Sequence, residues 1–215
     1  STRPASDPLF LSYPDRSPRA AGPPLPGVRI VTSSRFRIRR VAVLGAGVMG
    51  AQIAAHCANA NVPVILFDLA AKEGDPDAIV RRAIAGLKKL EPAPLATADR
   101  AAHIEVANYD RDAHRLVDCD LVIEAIAERM DWKHGLYAKV APHLRSDAIF
   151  ATNTSGLSIN ALADGCPDAM RSRFCGVHFF NPPRYMALVE LIPARTTDAA
   201  LLARLEDFLT TTLGK

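Results

Sequence analysis

Long hydrophobic runs and aromatic residues are scarce in this chain of 215 residues, of which 6% are aromatic. No stretch approaches the roughly 18 consecutive apolar residues of a transmembrane helix. The N-terminus also lacks the apolar core of a secretory signal, so nothing in the sequence indicates export. We therefore expect a cytoplasmic protein without a membrane partner. Because 49% of the residues are hydrophobic, the composition excludes an intrinsically disordered chain.

Cysteines are few, and they lack the spacing of metal ligands. Cys57, Cys119, Cys166 and Cys175 are scattered along the chain, whereas zinc ligands come in closely spaced pairs. We therefore expect reduced thiols and no metal site.

Charge and proline are concentrated at the N-terminus. Residues 1–40 contain eight arginines and two aspartates, whereas residues 41–215 contain 18 basic and 21 acidic residues. Residues 1–34 also contain seven of the 16 prolines. This composition predicts a linker or an extended arm over 1–34, followed by one domain over 35–215. No nucleic-acid motif accompanies the basic residues, so we expect no nucleic-acid partner.

From residue 41 onward, short apolar runs alternate with helical patterns. The patterns predict strands at 41–44, 62–67 (closing on Asp68), 104–107, 120–125, 148–151, 174–179 and 188–192, and helices at 48–60, 75–90, 130–144 and 198–213. Asp75 is the expected N-cap of the second helix, with Pro76 at its first position. This alternation predicts an α/β fold: a Rossmann-like, doubly wound, mostly parallel sheet with helices on both faces.

A glycine-rich turn follows the first predicted strand. Gly45, Gly47 and Gly50 form the pattern G-x-G-x-x-G, in which the first glycine permits the turn, the second admits a pyrophosphate and the third allows close helix packing. Asp68 ends the next strand, where a carboxylate accepts hydrogen bonds from the adenosine ribose. Because Asp68 repels a 2′-phosphate, the sequence predicts NAD rather than NADP as the cofactor.

His178 and Glu190 are polar residues within two apolar strands that follow one another along the chain. A carboxylate in a buried strand needs a partner, and the imidazole is the nearest candidate. Such a pair fixes the imidazole tautomer and can remove a proton from an alcohol. A purely structural ion pair is the alternative interpretation. The hydroxyl and amide side chains of residues 152–156 (TNTSG) are expected either to bind substrate or to cap the next helix. Glu124 and Glu128 are expected either to lie near the cofactor or to be solvated.

Together these residues resemble the L-3-hydroxyacyl-CoA dehydrogenase family over residues 38–215. The motifs that carry the resemblance are VLGAGVMG at 43–50, VIEAIAE at 122–128, ATNTS at 151–155, HFFNP at 178–182 and LVE at 188–190. The resemblance implies that His178 is the catalytic base and that Glu190 orients it. It also implies that Ser155 contacts both the substrate oxygen and the cofactor.

The same resemblance implies further cofactor contacts. Met49 and Asp68 match the residues of the family that contact the adenosine side of the cofactor, and Asn181 matches an asparagine near the nicotinamide. Glu128 and Lys133 match two further cofactor-binding residues of the family. Members of the family continue into a helical domain, which this sequence lacks, so we expect the chain to be inactive alone. In its full-length form we expect a homodimer or a fused multidomain protein.

The implied activity is oxidation of an L-3-hydroxyacyl-CoA to the 3-ketoacyl-CoA by NAD⁺ in fatty acid β-oxidation. Lys88 and Lys89 meet the CoA phosphates or are surface charges. Two alternatives to this activity stay open. One is a dehydrogenase of a free hydroxy or sugar acid, for which Arg184 would bind the carboxylate. The other is a non-catalytic NAD-binding module.

Overall fold

The computed structural model describes residues 37–215, so the predicted extension at 1–34 lies outside the described residues. The strands are β1 (Val41–Leu44), β2 (Val64–Asp68), β3 (Ile104–Asn108), β4 (Leu121–Glu124), β5 (Ile149–Thr152), β6 (Phe174–Phe179) and β7 (Val189–Pro193). The α-helices are α1 (Val48–Asn59), α2 (Ala78–Leu87), α3 (Met130–Val140), α4 (Ile159–Asp164), α5 (Asp168–Arg171) and α6 (Ala199–Asp207). None of these helices is long and apolar enough to cross a membrane.

The strands form one sheet in the order β3-β2-β1-β4-β5-β6-β7. All neighbours are parallel except β6 and β7, which are antiparallel. The order reverses at β1, whose two neighbours β2 and β4 come from opposite halves of the chain. In open parallel sheets this switch point is where ligands bind, at the carboxyl ends of the strands.

Helices cover both faces of the sheet, as predicted. Successive side chains of a strand point to opposite faces. Val41 and Val43 therefore join the hydrophobic cluster that contains α1, α2 and α6. Ala42 and Leu44 join the cluster that contains α3, α4 and α5. A central strand buried on both faces must be apolar throughout, which explains the continuous run at β1.

Only glycine fits at one position of the turn between β1 and α1 and at one position in the first turn of α1. Gly45 has φ +105°, a conformation that side chains rarely adopt. A Cβ at Gly50 would lie 1.8 Å from the carbonyl oxygen of Gly45. Because Gly50 has no Cβ, α1 packs directly against the end of β1. The turn therefore sets where the helix N-terminus points.

The second helix begins later than predicted. Asp75 accepts a hydrogen bond from the Asp77 N–H at 3.0 Å, but this bond closes a turn and α2 starts at Ala78. The predicted N-cap at Asp75 is therefore wrong. Helices α4 and α5 were not predicted, because they are short and lie among glycine, proline and small polar residues.

Candidate active site

The carboxyl ends of β1, β2, β4, β5 and β6 share one edge of the sheet, and the candidate site lies along it. Two of the cavities that open there contain Asp68 and His178. The Asp68 cavity, of about 470 Å³, and the His178 cavity, of about 570 Å³, share Gly47 and residues 125–127 in their lining. They are therefore two parts of one crevice that crosses the switch point.

Main-chain groups form the floor of this crevice. The N–H of Gly45 donates to Phe67 O at 2.8 Å, and the N–H of Ala125 donates to Leu44 O at 2.8 Å. The N–H of Asn153 donates to Glu124 O at 2.7 Å. These bonds extend the strand ladders beyond the strand ends and hold the loops at the crevice in register.

The glycine turn at the centre of the crevice fits a dinucleotide. Gly47 is the N-cap of α1, and no heavy atom lies within 4 Å of the place where its Cβ would be. The open space lets a pyrophosphate approach the unpaired N–H groups and the positive dipole end of α1. Asp68 borders the same turn, where its carboxylate accepts from the Ala46 N–H at 2.6 Å and the Leu69 N–H at 2.7 Å.

Two aromatic residues in the lining of the Asp68 cavity were not predicted. Tyr109 stacks on Phe67, with 5.9 Å between the ring centroids. Burial raises the pKa of Tyr109, which keeps its hydroxyl neutral. Trp132 is half-exposed, and the guanidinium of Arg129 lies 4.6 Å from its ring. Tyr109 directly follows β3, so the rule that strand ends face the ligand could have found it.

His178 and Glu190 meet, as predicted. They are register partners in the antiparallel pair of β6 and β7, and Nδ1 of His178 lies 2.9 Å from the Glu190 carboxylate. The expected burial of Glu190 is wrong, because β7 is the edge strand and half of the Glu190 side chain is exposed. The carboxylate makes Nδ1 the protonated nitrogen. Nε2 of His178 has no hydrogen-bond partner among residues 37–215, so its lone pair is available.

Ser155 and Glu128 line the His178 cavity together. Glu128 accepts the Thr154 hydroxyl and the Ser155 N–H, the latter at 2.8 Å. The Ser155 hydroxyl is 3.4 Å from the same carboxylate. Burial opposes ionisation of Glu128, but these hydrogen bonds outweigh it, so the pKa of the carboxyl is lowered. An ionised Glu128 therefore orients the Ser155 hydroxyl in the cavity that His178 also lines.

Met49 and Asn181 also line the His178 cavity, whereas Asp68 lines the other one. The contact of Met49 with the adenosine side of the cofactor, which the resemblance implies, stays a prediction. The Oδ1 of Asn181 accepts from Nε2 of Gln52 on α1 at 3.2 Å. Gln52 was not predicted, because a glutamine within an alanine-rich helix gives no sequence signal of its own.

Comparison with known proteins decides the family. A family model described as "3-hydroxyacyl-CoA dehydrogenase, NAD binding domain" matches residues 40–215. The chain belongs to this family. A fatty acid oxidation complex trifunctional enzyme of Rickettsia felis is 46% identical over 179 residues, which are 83% of this chain and 25% of that protein.

Two solved structures with at least 33% identity share the fold. The crystal structure of FadB2 from Mycobacterium tuberculosis is 35% identical with a TM-score of 0.70, and the match covers 83% of this chain and 62% of that one. The crystal structure of 3-hydroxybutyryl-CoA dehydrogenase from Escherichia coli K12 is 33% identical with a TM-score of 0.68. That match covers 84% of this chain and 37% of the other. The chain thus spans about a quarter of the Rickettsia relative and less than two thirds of either solved chain. The predicted family, fold and NAD cofactor are confirmed.

Lys133 is the family-implied cofactor residue that lines neither cavity. Its side chain is 1% exposed, and its Nζ lies 2.5 Å from the carboxylate of Glu124, which is fully buried. Tyr137 and Thr152 donate their hydroxyls to the same carboxylate at 2.8 Å and 2.7 Å. Glu124 is therefore neither solvated nor open to the cofactor. It is the centre of a buried network beneath the 3-hydroxyacyl-CoA dehydrogenase crevice.

Arg184, the candidate for binding a free carboxylate, is engaged elsewhere. Its guanidinium donates to the carbonyl oxygens of Ala93 and Leu95 at 2.8 Å and 2.7 Å. It lines neither cavity. This placement counts against a dehydrogenase of a free hydroxy acid. Among residues 37–215, no group of three or more histidines, cysteines or carboxylates is arranged to hold a metal ion.

Proposed function

We propose that the protein oxidises an L-3-hydroxyacyl-CoA to the 3-ketoacyl-CoA with NAD⁺ in fatty acid β-oxidation. The observation that carries the proposal is the pairing of His178 with Glu190 in a cavity that opens onto the glycine turn. A module that only binds NAD needs no oriented imidazole. Because the chain spans only part of its relatives, the activity is assigned to the whole protein.

In this proposal each residue of the crevice has one task. Bound NAD⁺ supplies the hydride acceptor. Gly47 lets the pyrophosphate approach α1, and Asp68 accepts from the ribose hydroxyls. Nε2 of His178 takes the proton of the substrate hydroxyl, and Glu190 stabilises the imidazolium that forms.

The remaining site residues position the reactants. The Ser155 hydroxyl, held by Glu128, contacts the substrate oxygen, and Asn181 lines the nicotinamide side of the crevice. Lys133 acts from below, because its positive charge helps to keep Glu128 ionised. Ser155, Asn181 and Glu128 therefore define where the reacting carbon lies relative to His178.

We infer the substrate class and the partners of this protein from its relatives. The Rickettsia protein is named as a trifunctional enzyme, which supports a multidomain protein that acts on acyl-CoA thioesters. For the full-length form of the present protein we propose a homodimer or a fused multidomain protein. We also propose a cytoplasmic location, with no membrane or nucleic-acid partner. We expect the 215-residue chain alone to bind NADH with little turnover, because it spans only part of its relatives.

The deciding experiment compares His178→Ala with wild type in the intact protein. Proton transfer by a positioned side chain contributes about 10²–10⁴-fold. We therefore expect 3-hydroxybutyryl-CoA oxidation to fall by about that factor, with NADH affinity retained. His103→Ala, which changes an exposed histidine, is the control. Unchanged turnover in His178→Ala would falsify the assignment, and faster oxidation of free 3-hydroxybutyrate than of its thioester would favour a hydroxy-acid dehydrogenase.

A further inference from the structure

The strand that carries His178 extends beyond its neighbour. The parallel pairing of β5 with β6 ends at Thr152 and Gly176, whereas β6 continues to Phe179. Residues 177–179 therefore have no strand beside them on the β5 side, although β7 pairs with them on the other. His178 lies in this overhang, where one of the two backbone ladders is missing.

Asn153 supplies the missing hydrogen bond. Its Oδ1 accepts from the N–H of Phe179 at 2.8 Å, one residue after the histidine. The backbone N–H of Asn153 donates to Glu124 O at 2.7 Å, which anchors the residue at the end of β4. A side-chain amide thus continues the ladder that β5 leaves unfinished. Without it the Phe179 N–H, in a residue that is 1% exposed, would lose its partner.

The acceptor end of the Asn153 amide is the end that is engaged. Its Nδ2 has no hydrogen-bond partner among residues 37–215, although the residue lines the His178 cavity. Asn153 therefore binds β6, the strand that carries His178, through its amide oxygen alone. A side chain with a hydrogen-bond acceptor at position 153 should preserve the bond to the Phe179 N–H, and an apolar side chain should abolish it.

We propose that Asn153 is a positioning residue of the dehydrogenase site, which fixes His178 by holding the Phe179 N–H. The inference rests on the proposed function, since it assigns the histidine a catalytic task. A strand end held on one side only by β7 would let the imidazole shift, and a displacement of about 1 Å can cost about 10²-fold in rate.

The test uses Asn153→Ala and Asn153→Asp in the intact protein. Asn160→Ala is the matched control, because Oδ1 of Asn160 also accepts a backbone N–H, that of Arg195 at 2.9 Å, outside the crevice. We expect Asn153→Ala to lower kcat about 10- to 100-fold and to change the KM for NAD⁺ less than about threefold. Asn153→Asp keeps the acceptor and should keep most of the turnover.

Hydrogen exchange of the cofactor-free protein gives a readout independent of activity. In Asn153→Ala the amide of Phe179 should exchange faster, whereas in Asn153→Asp and Asn160→Ala it should stay protected. A double variant adds a second check. If Asn153 acts through the histidine, Asn153→Ala should lower the residual turnover of His178→Ala by less than about twofold.

Three results overturn the proposal. They are wild-type kcat in Asn153→Ala, an equal loss in Asn153→Asp and Asn153→Ala, and an undiminished effect in the His178→Ala background. Failure of the proposed function has a different signature, in which the wild-type protein does not oxidise the thioester or His178→Ala does so at full rate. The exchange measurement at Phe179 is unaffected by either of those outcomes.

Discussion

Glu124 and Lys133 form an ion pair of 2.5 Å in which neither side chain is more than 1% exposed. Removing one partner leaves the other charge buried, which typically costs about 3–5 kcal/mol. We expect Lys133→Met to lower the free energy of unfolding by about that amount, measured by urea titration.

The double variant Glu124→Gln with Lys133→Met is the control for this pair. It removes both charges, so we expect it to be more stable than Lys133→Met alone. If Lys133→Met unfolds at the same urea concentration as the wild type, the ion pair does not stabilise the fold beneath the crevice.

Two glycines at the start of α1 should respond differently to alanine. Gly50→Ala places a methyl group 1.8 Å from Gly45 O, so we expect a loss of more than about 3 kcal/mol in unfolding free energy. Gly47→Ala meets no atom within 4 Å, so the protein should keep its Tm. Its methyl group would, however, stand where the pyrophosphate approaches α1, and NADH affinity should fall at least about tenfold by calorimetry. Tight NADH binding by Gly47→Ala would contradict the assignment of the turn.

Asp68 should determine the choice between NADH and NADPH. Asp68→Asn keeps an acceptor for the Ala46 N–H but removes the charge that repels a 2′-phosphate. We expect the ratio of the NADPH and NADH dissociation constants to fall by about tenfold or more. Asp75→Asn, on an exposed turn, is the control and should leave the ratio unchanged. A ratio that does not move in Asp68→Asn would assign the preference to another residue.

Glu190 should affect turnover more than cofactor binding. Glu190→Gln keeps a hydrogen-bonding side chain but loses the charge that stabilises the His178 imidazolium. We expect kcat to fall about 10- to 100-fold while the Kd for NADH stays within about twofold. Stopped-flow hydride transfer and calorimetry measure the two quantities separately. If kcat is unchanged, the contact between Glu190 and His178 is structural.

His56 predicts how stability depends on pH. Burial lowers its pKa from 6.5 to about 4, and the charge of Lys215 adds to this effect. Between these values the unfolded chain binds a proton that the folded chain does not, so the free energy of unfolding decreases as pH falls from about 6.5 to about 4. The loss should approach about 3 kcal/mol. In His56→Asn the slope should flatten, whereas in the exposed control His103→Gln it should persist.

The sequence predicted the sheet and the glycine turn because both are written in local patterns. A parallel strand buried on both faces must be apolar throughout, and G-x-G-x-x-G has few structural alternatives between a strand and a helix. The pairing of His178 with Glu190 was also predictable, although for a partly wrong reason. The carboxylate is in the edge strand β7 and needed no partner to be tolerated there.

Gln52, Asn153 and the buried role of Lys133 could not be predicted in the same way. The contacts of Gln52 and Asn153 join residues far apart in the chain, such as Gln52 with Asn181. Lys133 is nine residues after its partner Glu124, but whether its ammonium points to the cofactor or beneath it is set by how α3 packs on the sheet. That packing has no signature in the sequence.

Main-chain atoms make up the floor of the crevice, through the N–H groups of Gly45, Ala125 and Asn153. A point mutation can replace a side chain but cannot delete a peptide group. Apart from the required glycines at 45 and 50, residues at this edge can therefore change while the main-chain platform persists. A change of substrate would therefore involve the side chains that project from this platform and not the platform itself.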